Sequence, residues 1–303
     1  MTTHPPAITP IAHIQAPAVL PLDQVSRVTP LSGGCLSPVY QVGFSSTRPP
    51  VVVKLDDTAS GQLLTEAWML RYLADVGQVP TPTVLDATAQ WLIMDWCPNE
   101  GGLNAETEVD IAYHIARLHR CSSSRFGLFD EAGQPKHTVI GPLHQPNKST
   151  EPTDSWLSFF ATHRLLYMAD AAYREGKLPK HLLHCLHRFA EQMSTWLLEP
   201  DQPHLLHGDL WHGNILTCHN RVSGFIDPAL YYGHREMDLA FATLFDSLGP
   251  AFFEAYHDHY PIAPGFFEVR KDLYNLYPLL VHVRLFGAHY VPGIEARLKH
   301  VGL

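Results

Sequence analysis

His207-Gly208-Asp209-Leu210-Trp211-His212-Gly213-Asn214, followed by Phe225-Ile226-Asp227-Pro228, is the stretch that decides how this 303-residue chain is read. Phosphoryl transfer asks a protein for positioning and charge neutralisation more than for covalent work. It needs a carboxylate beside the attacking hydroxyl, and Asp209 fits that place. It also needs oxygen ligands that hold Mg²⁺ between the phosphates. Asn214 stands five positions after Asp209, and Asp227 ends the short apolar run over residues 222–226. An amide oxygen and a carboxylate are hard donors of the kind Mg²⁺ takes. Any one of these residues alone would more often be a turn or cap residue. The three at these offsets form a joint pattern that chance seldom produces.

The N-terminal third supplies what that loop lacks. Val51, Val52 and Val53 form a β-branched run leading into Lys54, the composition of a buried strand. Leu63, Leu64, Ala67, Met69, Leu70 and Leu73 recur at helical intervals, with Glu66 among them. Lys54 is thereby placed to meet α- and β-phosphates, and Glu66, twelve residues on, to pair with it and hold its rotamer. Residues 29–42 read as a hairpin whose tip carries Gly33 and Gly34, which would let backbone approach phosphates closely. No Gly-Lys-Ser/Thr follows, so this is not a P-loop of the Walker type.

Working outward, residues 22–97 read as strands around one helix. Residues 98–303 read as mostly helical, with helical periodicity over 109–119, 156–172, 182–198 and 274–290. A hinge near Asp95 and Pro98 joins the two. The fold class is α+β, in two lobes. Residues 126–153, with Gly, Pro and Asn, read as a long connection without regular structure. Residues 1–21, rich in Pro, Ala and Thr and without a helical period, read as a mobile arm.

Composition narrows the partners. Hydrophobic residues make up 46% and charged residues 17%, enough to bury a sizeable core. A net charge of −9 with no Lys/Arg cluster argues against nucleic acid. No apolar run approaches the ~20 residues of a membrane span. The N-terminus, interrupted by Pro5, Pro6, Pro10 and Pro17, is no signal peptide. Five scattered cysteines without a Cys-x-x-Cys pair suit a reducing compartment, so a cytoplasmic protein is expected. The twenty histidines raise a metal-site question. His181, His184 and His187 at helical spacing are read as a solvated face, because no Cys or carboxylate completes a tetrahedral set.

The His-Gly-Asp form of the loop resembles the aminoglycoside-phosphotransferase branch of the protein-kinase-like fold. Further segments resemble the fructosamine kinase (ketosamine 3-kinase) family: Leu206 through Asn214 including Trp211; Asp227-Pro228-Ala229; Tyr232-Gly233-His234-Arg235-Glu236; Asp238-Leu239-Ala240; Gly33-Gly34-Cys35-Leu36-Ser37; and Gln145-Pro146-Asn147. The likeness covers roughly residues 25–291.

That resemblance implies an ATP- and Mg²⁺-dependent kinase acting on the sugar 3-hydroxyl of a ketosamine, free or on a glycated lysine. The unstable product would release the amine, so the activity amounts to deglycation. Asp209 becomes the proton acceptor. Asp95, Trp96 and Cys97 become the hinge residues whose backbone meets adenine, with Asp95 standing where the family commonly has Glu. Trp211 and His212 are candidates for shaping the acceptor pocket. Glu236 and Asp238 are read first as capping a helix and bracing the loop, with binding of the acceptor amine as the alternative, for which Glu236 is the substrate candidate. Cys35, a thiol at the glycine-rich tip near phosphate-binding cations, is either inert or open to oxidation that would link two chains of an otherwise monomeric protein. Kinases for another amino alcohol, such as an aminoglycoside or choline, share the same chemistry. An inactive nucleotide-binding module would lack one of Lys54, Asp209, Asn214 or Asp227, and all four are present.

Overall fold

Three consecutive valines cannot all face one side of a strand, and β3 (Val51–Leu55) shows the result. Val51, Val53 and Leu55 are buried on one face, while Val52 and Lys54 point to the other. The computed structural model describes residues 9–31, 37–130, 133–134, 136–147 and 155–303. In it β3 is the centre of an antiparallel sheet ordered β1-β2-β3-β5-β4, with β1 Val25–Pro30, β2 Val39–Phe44, β4 Val84–Ala87 and β5 Trp91–Asp95. Helix α1 (Gln62–Asp75) lays Leu63, Ala67 and Leu70 on Leu92 and Met94 of one face.

The opposite face corrects an expectation. Residues 9–20 do not form a mobile arm. Ile11, Ile14 and Leu20 are buried against Val42, Val53 and Ile93, and Arg48 donates to the Val19 carbonyl at 2.7 Å. The absence of helical period was real, but the apolar residues spaced among the prolines cover a sheet face in irregular conformation. Removing that face from water outweighs the entropy of ordering the segment. Residues 1–8 lie outside the described ones.

The larger part begins with α2 (Ala105–Leu118). Asn104 caps it by accepting from the Thr107 amide, and Thr107 answers the Asn104 amide. The periodic stretches become α3 (Trp156–Phe160), a π-helical turn (Ala161–Leu166), α4 (Tyr167–Arg174) and α5 (Lys180–Gln192). On α5, His181 and His184 face solvent, as read from the sequence. After the catalytic-loop region come α6 (Glu236–Phe241), α7 (Pro250–His259), α8 (Lys271–Tyr274), α9 (Leu276–Phe286) and α10 (Val291–His300).

Residues 126–153 depart from expectation, because they contain the hairpin of β6 (Thr138–Ile140) and β7 (Leu143–Gln145). Three-residue strands leave too little alternation to be seen as a pattern. Buried side chains hold them: Gln145 donates to Thr138 Oγ1 and to the Ala229 carbonyl and accepts from Tyr277 OH, while Asn147 accepts from Arg164. The hairpin tip reaches the small lobe, where Gln62 donates to the Pro142 carbonyl at 3.0 Å. Met69 and Leu73 of α1 belong to the core of the large lobe, and Tyr72 OH meets Tyr232 OH at 3.0 Å. The helix carrying Glu66 is thereby fixed against both lobes.

Four histidines, His119, His204, His207 and His234, are buried at 0–6% exposure, and burial pushes the pKa of each below the ordinary value. Unfolded histidines take up protons below about pH 6.5, while burial holds off protonation of these in the fold to lower pH. The unfolded state then binds more protons, so stability falls as pH drops through that value. Each histidine that remains uncharged costs up to about 1.4 kcal/mol per pH unit. Urea unfolding at pH 7.5, 6.5 and 5.5 is expected to show a loss of several kcal/mol across the lower unit. A midpoint that stays flat to pH 5.5 would contradict neutral burial of these rings.

Candidate active site

The catalytic loop hangs between β8 (His204–Leu206) and β9 (Ile215–Cys218), and β10 (Arg221–Phe225) carries the chain on to Asp227. Gly208 has a φ of +82°, and a Cβ there would lie 2.0 Å from the Ala229 carbonyl oxygen, so only glycine fits. Asp238 binds the turn from below: its two carboxylate oxygens accept the His207 and Gly208 amides at 2.7 and 2.8 Å. The same carboxylate meets His119 Nε2 at 3.1 Å. The Ala229 amide donates to the His207 carbonyl, and the Ile226 amide to the Asn214 carbonyl. Asp209, Asn214 and Asp227 are thus held on one stitched frame. Beyond it, β11 (Tyr231–Gly233) pairs back with β8.

Asn214 is buried, and its Nδ2 donates to Asp209 Oδ2 at 2.8 Å and to the Asp209 carbonyl at 2.9 Å. With the amide nitrogen so engaged, its Oδ1 meets no donor among the described residues and remains free as a ligand. Asp227 adopts φ +51°, a left-handed conformation that Asp tolerates better than most residues. Its side chain is 37% exposed to the cleft and pairs with Lys54 Nζ. Lys54 also meets Glu66 Oε1 at 2.5 Å. The pairing expected over twelve residues of sequence is present, with Asp227 as a third member.

Burial works against the Lys54 charge, but Asp227 and Glu66 outweigh it and raise its pKa, so the ammonium stays protonated. Burial likewise opposes ionisation of Asp227, and Lys54 more than offsets it, leaving that carboxyl below the ordinary range. Asp209 differs. Burial pushes its carboxyl up to about 8, against the Asn214 hydrogen bond and with help from Asp227 and Asp238. Two carboxyls on one cleft thus hold protons with different affinity, Asp209 through burial and Asp227 against it through Lys54.

Lys54, Glu66, Asp209, Asn214 and Asp227 line one cavity of about 410 Å³ between the lobes, with Trp211. Trp211 lies over Gly213, where a Cβ would come within 2.4 Å of its ring. Ser37 and Val39 close one end, and Ile140, Gly141 and Pro142 of the β6–β7 tip form a wall. Oxygen donors on an amide and a carboxylate, across from a fixed cation, fit a divalent metal with a polyphosphate.

Other predicted positions fall elsewhere. Gly33, Gly34 and Cys35 lie outside the described residues. Asp95, Trp96 and Cys97 leave β5 toward the linker and are not in the cavity lining. The Cys97 side chain packs on Gly224, and burial lifts its thiol to about 11. His212 is exposed, with its amide bonded to Ser247 Oγ, and does not line the cavity. Glu236 is corrected as a substrate residue, and the bracing alternative stands. It is 1% exposed, and both carboxylate oxygens accept from Arg270 at 2.7 Å, so it braces α6 and cannot meet an acceptor.

Sequence reasoning missed the far end of the cavity, lined by Phe245, His282, Phe286 and Tyr290. Their rings stand 4.9–6.2 Å apart. Phe245 is 44% exposed and sits at φ +59°, while Phe286 is 40% exposed. Aromatic residues at 282, 286 and 290, four apart on a helix end, were the available signal.

Comparison with known proteins agrees with this geometry. The family model for fructosamine kinase matches residues 11–301. A probable ketoamine kinase of Lactiplantibacillus plantarum is 31% identical, over 92% of this chain and 95% of its own length. One from Synechocystis sp. is 34% identical, over 89% and 88%. The crystal structure of a protein named as a candidate fructosamine-3-kinase from Thermobifida fusca superposes with a TM-score of 0.81 at 29% identity, covering 94% of this chain and 97% of that one. Aminoglycoside phosphotransferase APH(4)-Ia, in a ternary complex with ADP and hygromycin B, shares the protein-kinase-like fold at a TM-score of 0.64 and 15% identity, over 94% and 98%. With the catalytic frame assembled on that fold, the chain belongs to the fructosamine kinase family.

Proposed function

We propose that the protein transfers the γ-phosphoryl group of ATP, with Mg²⁺, to a sugar hydroxyl of a ketosamine (a fructosamine or ribulosamine, free or on a lysine side chain), leading to deglycation. The observation that carries this reading is the convergence of Lys54, Asp209, Asn214 and Asp227 on one cleft of about 410 Å³. Asn214 Oδ1 and Asp227 would hold the Mg²⁺, which when bound neutralises charge on the transferring phosphoryl group. Lys54, kept in place by Glu66, orients the α- and β-phosphates. Asp209 accepts the proton of the attacking hydroxyl. The backbone at Asp95, Trp96 and Cys97 would meet adenine. Trp211 and the Phe245–His282–Phe286–Tyr290 cluster give the acceptor an apolar wall, against which the faces of a sugar and its amine substituent pack.

The test is ATP consumption over ribuloselysine, fructoselysine, an aminoglycoside and choline. Turnover of a ketosamine at least tenfold above the others is expected. Turnover confined to the aminoglycoside or choline would keep the kinase and overturn the acceptor.

A further inference from the structure

The hairpin that joins the two Mg²⁺-ligand positions carries a second group of donors at its other end. Glu100, Cys218 and His219 bring a carboxylate oxygen, a thiol sulfur and an imidazole nitrogen within 4.8 Å of one another. His219 Nδ1 lies 3.4 Å from Cys218 Sγ, and His219 Nε2 lies 3.6 Å from Glu100 Oε1. Zinc takes sulfur at ~2.3 Å and nitrogen at ~2.0 Å in tetrahedral sites, which sets neighbouring ligands roughly 3.5 Å apart. One ion takes one ring nitrogen of His219; all three donors lie within 4.8 Å of one another, and rotation of the 88% exposed His219 ring would bring that nitrogen to tetrahedral spacing with the other two.

The backbone around the trio is fixed. His219 and Asn220 form the β9–β10 turn, both with left-handed φ (+51° and +60°), as a type I′ hairpin requires. The His219 amide donates to Glu100 Oε2 at 2.8 Å, which leaves Oε1 facing the ring. The Glu100 amide donates to the Thr217 carbonyl at 2.8 Å, and Asn99 Oδ1 accepts from the Gly101 amide at 3.1 Å. Asn220 is tied to α2, donating to Glu106 and accepting from Asn104, each at 2.8 Å.

We propose that Glu100, Cys218 and His219 form a binding site for one Zn²⁺, with the fourth position open to water. A thiolate and an imidazole favour zinc over the magnesium used in the cleft. Glu100 follows the hinge, whereas Cys218 ends the strand that starts after Asn214 and His219 begins the turn that follows it. An ion there joins the linker between the lobes to the hairpin that positions Asn214 and Asp227, and so stiffens the hinge.

The test uses the full chain, freed of adventitious metal and titrated with Co²⁺ as a spectroscopic stand-in for Zn²⁺. One equivalent is expected to give a thiolate-to-cobalt charge-transfer band that Zn²⁺ displaces. Cys218→Ser is expected to lose the band and Cys185→Ser to keep it. His219→Ala and Glu100→Gln are each expected to weaken binding at least tenfold. No band in the unmodified chain, or a band that survives in Cys218→Ser, overturns the site. Unchanged affinity in both His219→Ala and Glu100→Gln also overturns it, because the ion would then be held by a lone surface thiol. None of these readouts depends on the acceptor assigned above.

Discussion

Asp209→Asn is expected to lower kcat by roughly 10²–10⁴-fold, the range that loss of a positioned general base commonly costs, while nucleotide affinity stays within about twofold. Asparagine keeps the shape of the side chain, and its Oδ1 can still accept from Asn214 Nδ2, a bond of 2.8 Å in the native site. What disappears is the ability to take a proton. The Lys54–Glu66–Asp227 assembly proposed to meet the phosphates is untouched, because none of those contacts involves Asp209. Steady-state turnover with a ketosamine, alongside calorimetric titration with a non-hydrolysable ATP analogue, separates the two effects. Full activity in the variant would remove Asp209 from the role of base. Equal loss of turnover and nucleotide binding would indicate a collapsed loop.

How much of this was visible beforehand depended on the sequence distance over which each signal acts. The Asp209–Asn214–Asp227 frame is local, and its spacing predicted a convergence that the cleft displays. Lys54 and Glu66 were legible because a valine strand and a periodic helix place each of them within its own element. The second partner of Lys54, Asp227, is 173 residues away in sequence, and no local pattern announces it. Asp238 reads as a cap or a brace of the loop, but the groups it braces were not visible in the sequence. An acidic residue in the first turn of α6 reads as a helix-end preference, yet it accepts the His207 and Gly208 amides thirty-one and thirty positions upstream. The ordering of residues 9–20 escaped notice because scattered isoleucines among prolines have no period. Only the presence of an uncovered sheet face makes them core.

Glu236 shows how a buried ion pair can imitate a binding residue in sequence, and its replacement is the second large effect expected. Glu236→Ala should destabilise the protein by about 3–5 kcal/mol, because it leaves the Arg270 guanidinium buried without its counter-charge. For a chain of this size that corresponds to a fall in Tm of roughly 10 °C. Arg270 keeps its bonds to the Pro264 and Ala263 carbonyls at 2.8 and 3.0 Å, which limits the loss. The pair is 1% and 5% exposed, so solvent screening does little to soften it. Glu236 opens α6, and two residues later Asp238 holds the catalytic turn. Loosening the start of α6 is therefore expected to lower kcat several-fold through a misplaced loop. KM for the acceptor should change little, since Glu236 lies outside the cavity. A double replacement, Glu236→Leu with Arg270→Met, should recover much of the stability, as apolar substitutes for buried ion pairs commonly do. Thermal unfolding of the three variants beside their kinetics decides the matter. A Glu236→Gln protein with unchanged Tm and an acceptor KM raised tenfold would return this carboxylate to the substrate and refute the brace.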